Sequence, residues 1–160
     1  MPRLDTLSEV VRQVLVAFPC VEHETAPWTP LGQPLGRATV ALVTTAGLHR
    51  RGDRPFVSDL KGGDQSYRVI PSDTRAADLL QSHVSIGFDH TAFYRDMNVT
   101  FPLDRLHELA RGGTIGAVAP QAYSFMGAIR NPQRLVTETG PEVAARLHAE
   151  GAQVVLLTPT

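Results

Sequence analysis

Apolar positions along this chain follow two rhythms. Leu4, Leu7, Val11, Val14, Leu15 and Phe18 recur every three or four residues, the spacing that puts side chains on one face of an α-helix. Asp5 or Thr6 can cap the start of that helix and Pro19 ends it. Over residues 20–36 the period stops, and prolines at 27, 30 and 34 surround Trp28. This predicts an extended arm with Trp28 as a packing anchor rather than a ligand-stacking ring. The second rhythm is the unbroken run. Residues 38–45, 67–70, 114–119 and 153–158 are short, rich in β-branched side chains and bounded by turn residues. The terminal run, with Val154, Val155, Leu156 and Leu157 in succession, reads as a strand covered on both faces.

Helical spacing returns between these runs. Ser72 or Asp73 can cap a helix over residues 75–81. Residues 83–100 are weakly periodic and lead into a segment where Leu103, Leu106 and Leu109 share a face, with Pro102 near its first turn and Gly112-Gly113 as its stop. Gly140-Pro141 opens a last helix with Val143, Ala144 and Leu147 inward, closed by Gly151. Strands alternating with helices predict an α/β fold, a three-layer sandwich around a mainly parallel sheet, Rossmann- or flavodoxin-like. The expected division is an N-terminal helix and Pro-rich arm over residues 1–36, then a single α/β domain over 37–160.

The 160 residues suffice for one core. With 15 Lys and Arg against 16 Asp and Glu, a formal net charge of −1 and no block of like charges, neither nucleic acid nor an anionic membrane has an electrostatic hold. The expected partner is a small molecule or another protein. Cys20 is the only cysteine, so the chain has no internal disulfide and no thiolate zinc cluster, as suits a reducing cytoplasm. No stretch approaches the ~20 apolar residues of a membrane span, and the first residues lack a basic segment leading into an apolar signal core. A cytoplasmic location is expected.

Ligands of parallel α/β sheets bind beyond the carboxyl ends of the strands. The turn leaving residues 38–45 therefore makes Thr44, Thr45 and His49 candidates, and Arg68 joins them because a Gly-Asp loop precedes it. His49 and Arg68 are suited to hold a substrate carboxylate by charge-assisted pairs. Asp64 enters if its loop folds back. Asp96 and Asn98 either join the site or fix their own loop by Asx turns. Ser124, Met126 and Gly127 follow the 114–119 run and should share the edge of residues 44–49, forming one crevice.

Other chemistries fit less well. Lys61-Gly62-Gly63-Asp64 lacks the spacing and the preceding strand of a phosphate cradle. No two histidines stand four apart, and a cation held by His83, Asp89, His90 and Asp96 competes with plain solvation of a charged loop. No metal or other cofactor is expected. Ser124 is outside a Gly-x-Ser-x-Gly elbow, which sets aside a Ser-His-Asp hydrolase built on it.

Ala26-Pro27-Trp28-Thr29-Pro30, residues 39–49, Gly63-Asp64-Gln65-Ser66-Tyr67-Arg68-Val69-Ile70-Pro71, residues 96–112, Ser124 to Gly127 and Glu138-Thr139-Gly140-Pro141-Glu142 resemble, in order, the selenoprotein B family. That family comprises component B of glycine, sarcosine and betaine reductases and the selenoprotein subunit of D-proline reductase, which this chain resembles most. The resemblance implies a cytoplasmic, dithiol-driven reductive cleavage of a C–N bond in an amino acid or its N-methyl derivative. Its attacking group is a selenocysteine or cysteine, joined in proline reductase by a pyruvoyl group on a partner subunit.

In the family a Gly-Sec-x-x-Cys type motif directly follows the strand that matches residues 154–158, whereas this chain ends at Thr160. The expectation is a reductase subunit that shapes the pocket for an amino-acid-like ligand while a partner chain supplies the nucleophile. The alternative is a non-catalytic binding or regulatory module that keeps the crevice. Cys20 lies before the matched motifs, near the predicted helix end, and is expected to pack rather than react. An apolar terminal strand at a sheet edge adds the expectation of a homo-oligomer.

Overall fold

The computed structural model describes residues 3–17, 24–26, 28–57, 63–83, 90–129 and 131–160. Cys20 and Asp89 lie outside them, and with them the expectations on a packing cysteine and a four-residue cation loop. The chain divides into two compact units, residues 1–30 and 31–160. In the first, the helix expected over residues 4–18 is broken in two, a 3-10 turn over Leu4–Thr6 and α1 over Glu9–Val16. Ser8 separates them, with extended backbone at φ −60° and ψ 148°. Trp28 is 83% exposed and so is not a packing anchor: residues 28–30 form no hydrogen-bonded element that would bring apolar surface over the ring.

The second unit contains β1 (Thr39–Thr44), β2 (Leu48–Arg50), β3 (Tyr67–Pro71), β4 (Leu79–Gln81), α2 (His90–Arg95), α3 (Leu103–Arg111), β5 (Ala117–Val118), β6 (Gln121–Phe125), α4 (Gly140–Ala149) and β7 (Val154–Thr158). β1 is the centre of the sheet. β7 pairs with it in parallel along residues 40–44 and so takes one whole edge. The other edge is shared in parallel by β5, against Thr39 and Val40, and by β6, against Val43 and Thr44. β3 adds an antiparallel strand outside β6, so the sheet is mixed with a parallel core. β2 and β4 form a separate antiparallel pair.

Alternation along β1 assigns its side chains to two faces. Val40 and Leu42 pack in one core with Ile70, Phe93 of α2, and Leu103 and Leu106 of α3. Ala41 packs in the other core with Tyr123, Phe125, and Val143 and Leu147 of α4. Helices thus lie on both faces, and the three-layer α/β architecture expected from the sequence is the one observed.

Several elements differ in detail. The helix expected over residues 75–81 is a 3-10 turn, Ala76–Asp78, followed by β4, because Leu79, Leu80 and Gln81 find a strand partner in β2. The weakly periodic segment contains α2 and a further 3-10 turn, Met97–Val99. Pro120, which has no N–H to give a ladder, separates β5 from β6. A π-helical turn over Leu135–Thr139 precedes α4, so Gly140 continues that turn rather than opening the helix. Ala144 and Leu109 face solvent. β7 is not covered on both faces: Val155, Leu156 and Leu157 are 40%, 37% and 66% exposed, since an edge strand has a neighbour on one side only.

Candidate functional site

β1, β6 and β7 run in parallel and end together, with Thr44 in register with both Ser124 and Thr158. The chain leaves β1 toward the face of α2 and α3 and leaves β6 toward the face of α4. Neighbouring strand ends with diverging connections are where α/β sheets commonly bind ligands. Thr44 is buried, and its hydroxyl lies 3.0 Å from the Thr100 carbonyl and 3.3 Å from that of Thr158. Thr45 Oγ1 accepts from the Thr160 amide at 2.8 Å, and Ser124 Oγ accepts from the Leu48 amide at 2.8 Å. An antiparallel bridge joins Ala46 to Met126. A Cβ on Gly127 would fall 2.5 Å from His83 Nε2, 3.0 Å from the Thr160 carbonyl and 3.2 Å from that of Thr45. Glycine at 127 therefore lets these segments converge without displacing the His83 ring.

Thr44, Thr45, Ser124, Met126 and Gly127 thus meet at one edge, as the sequence suggested for a shared crevice. His83, absent from the substrate-binding set read from the sequence, joins them. Its imidazole is buried, and desolvation, then the nearby charge of His90, hold its pKa below the ordinary value. The sequence marks His83 only as a candidate cation ligand.

His49, Asp96 and Asn98 line a different place, a cleft of about 650 Å³ bordered by β2, β4 and α2. His49 Nδ1 lies 3.1 Å from the Arg50 carbonyl and Nε2 3.0 Å from Ser82 Oγ. Asp96 Oδ1 accepts from the backbone and side-chain amides of Asn98, both at 2.9 Å, which is the Asx turn weighed for this loop. The side-chain bond from Asn98, then the backbone bond, hold the Asp96 carboxyl below its usual range.

Asp64 and Arg68 sit together in a third place, a cleft of about 710 Å³. Arg68 donates from Nε to the Arg54 carbonyl at 2.7 Å, from Nη1 to Ser66 Oγ at 2.8 Å and the Tyr67 carbonyl at 2.9 Å, and from Nη2 to the Pro55 carbonyl at 3.0 Å. Its guanidinium carbon lies 4.1 Å above the Phe56 ring. Asp64 accepts from the amides of Val57 at 2.8 Å and Ser66 at 2.9 Å and from the Ser66 hydroxyl. Burial pushes the Asp64 carboxyl up, but those bonds and the Arg68 charge outweigh it and leave it below the ordinary value.

The ten candidates are thus spread over three neighbouring places. Among the described residues no three His, Cys, Asp or Glu side chains converge as a cation would require, and no helix is long and apolar enough to cross a membrane.

The family model for glycine/sarcosine/betaine reductase selenoprotein B matches residues 17–160. Over 131 residues the chain is 43% identical to the D-proline reductase subunit gamma of Acetoanaerobium sticklandii, covering 82% of this chain and 52% of that protein. It is 25% identical over 147 residues to the glycine reductase complex component B subunit gamma of Carboxydothermus hydrogenoformans, covering 89% and 33%. It is 27% identical over 148 residues to the sarcosine reductase complex component B subunit beta of Peptoclostridium acidaminophilum, again covering 89% and 33%. The chain therefore spans between a third and about half of the length of these curated relatives. No solved structure matches it.

Proposed function

Because the chain belongs to the glycine/sarcosine/betaine reductase selenoprotein B family, we propose that it serves as a subunit of an amino-acid reductase complex of the glycine, sarcosine, betaine or D-proline type. The observation that carries this reading is the 43% identity over 131 residues to a D-proline reductase subunit. In this reading the carboxyl edge of β1, β6 and β7 shapes the pocket for a small amino-acid-like ligand. A partner chain supplies the selenol or thiol, and in a proline-type complex the pyruvoyl group, for dithiol-driven cleavage of the C–N bond. The location is the cytoplasm, and the apolar edge formed by β7 supports a homo-oligomer.

The experiment is the intact and native mass of the protein isolated gently from its source cells, paired with dithiol oxidation assayed on D-proline, glycine, sarcosine and betaine. A co-purifying chain bearing selenocysteine, paired cysteines or a pyruvoyl group, with substrate-dependent oxidation, is the expected result. A homo-oligomer of this chain alone that binds an amino acid, yet stays inert with every such partner added, replaces the reductase reading with a binding module.

A further inference from the structure

The cleft bordered by β2, β4 and α2 holds a serine–histidine couple away from the strand edge on which the reductase reading rests. His49 is 3% exposed and stands on β2 in register with Leu80 of β4. Its Nδ1 lies 3.1 Å from the Arg50 carbonyl. A carbonyl only accepts, so Nδ1 carries a proton, and in the neutral ring Nε2 is left as an acceptor. That nitrogen meets Ser82 Oγ at 3.0 Å, so the serine hydroxyl donates to the imidazole.

Backbone pairing fixes the distance. Leu48 is in register with Gln81, and the amide of Ser82 continues the ladder by donating to the Gly47 carbonyl at 2.9 Å. Asp53 accepts from the Arg50 amide at 3.2 Å and from its guanidinium at 3.0 and 3.1 Å. Those Arg50 bonds chiefly hold the Asp53 carboxyl low, and the neighbouring His49 adds to the effect. A nucleophile, a base that touches it and a carbonyl that orients the base are the parts of an activated serine that this geometry supplies. Ser82 opens on a cleft of about 650 Å³ whose walls include Leu79, Leu80 and Phe93.

We propose that Ser82 is a nucleophile activated by His49 and that this cleft accepts esters with a small apolar acyl group. Ser82 Oγ bonds to the acyl carbon as its proton passes to His49 Nε2. The ester C–O bond then breaks, and His49 returns the proton to the departing alcohol. Water, deprotonated by the same nitrogen, releases the acid and regenerates the serine. The sequence is redox-neutral and needs water alone as co-reactant.

The test is labelling of the purified chain with an alkyl fluorophosphonate, read by intact mass and peptide mapping, with p-nitrophenyl butyrate hydrolysis followed in parallel. Ser82 should gain one phosphonyl group as fluoride leaves, and Ser82→Ala should gain none and lose the esterase activity. His49→Gln, shown folded by circular dichroism, should be labelled slower by about tenfold or more. No adduct on Ser82 in the native protein, or a smaller effect in a folded His49→Gln, overturns the proposal. If His49→Gln does not fold, Ser82→Cys in a Cys20→Ser background asks the same question. An imidazole-activated thiol at position 82 should react with iodoacetamide about tenfold or more faster in the folded chain than in urea; anything less overturns the proposal.

Discussion

Arg68 directs its guanidinium at the chain itself. Four hydrogen bonds to Arg54, Pro55, Ser66 and Tyr67, with a stacked Phe56, brace residues 54–57 against β3. Charge-assisted bonds to a half-buried group contribute about 1.5–3 kcal/mol each in isolation but are far from additive. Arg68→Ala should therefore lower unfolding stability by about 2–3 kcal/mol in urea titration. An unchanged midpoint with weakened ligand binding would instead return Arg68 to the carboxylate-holding role that the sequence suggested.

Asp64, beside it, makes stability depend on pH. Its carboxyl titrates below the unfolded value of 3.8, so its contribution is complete above that pH and is lost as pH falls through the lower, folded value. Asp64→Asn should flatten the acid limb of a stability curve measured from pH 5 to 2. His83 acts in the same direction at higher pH. Its folded pKa lies below 6.5, so the unfolded chain binds the proton first and stability falls as pH drops below that value. That both carboxylate and cation candidates would be used internally was not legible in the sequence. Apart from the Ser66 hydroxyl, their hydrogen-bond partners are backbone carbonyls and amides, which carry no sequence signal.

Among the elements, β1 and β7 were legible because an unbroken apolar run can hardly be anything but a strand. α3 was legible because its leucine spacing agrees with Pro102 before it and Gly112-Gly113 after it. β6 was not, since Gln121, Tyr123 and Ser124 carry polar atoms that bury only once Leu48, Gln121 and Glu150 supply partners. β4 was misread because three residues cannot show a period, and its strand character comes from β2.

Glycine roles also emerge only from the assembled sheet. A Cβ on Gly116 would lie 2.5 Å from the backbone carbon of Arg37, where nothing can rotate away, whereas at Gly127 the 2.5 Å contact is the His83 ring end. Gly116→Ala must move the start of β5 and should cost more than Gly127→Ala, which should cost about 1–3 kcal/mol by overpacking. Thermal melts of the two variants rank them. Only Gly127→Ala should also shift the imidazole signals of His83 in NMR spectra.

At the scale of the molecule, the sequence showed a three-layer α/β unit because strand and helix patterns alternate, a property of the whole chain that survives errors in single elements. It also placed the terminal run at a sheet edge, and the pairing agrees: β1 has neighbours on both sides, whereas among the described residues β7 pairs with β1 alone. β7 therefore leaves Val155, Leu156 and Leu157 partly exposed beside a backbone edge that has no strand partner among the described residues, a surface that proteins ordinarily cover. A second copy can cover it by pairing β7 with β7 across a two-fold axis, which sets each Leu157 near its symmetry mate's edge and adds main-chain bonds to apolar contact. Leu157→Lys places like charges on that seam. Because the side chain is 66% exposed, the substitution should change the stability of the unit by no more than ~0.5 kcal/mol. Sedimentation velocity should then find the native protein as a dimer, and the folded variant dissociating at protein concentrations about tenfold higher. A native protein that sediments as a monomer would remove the second copy as the occupant and leave this edge to the reductase partner chain.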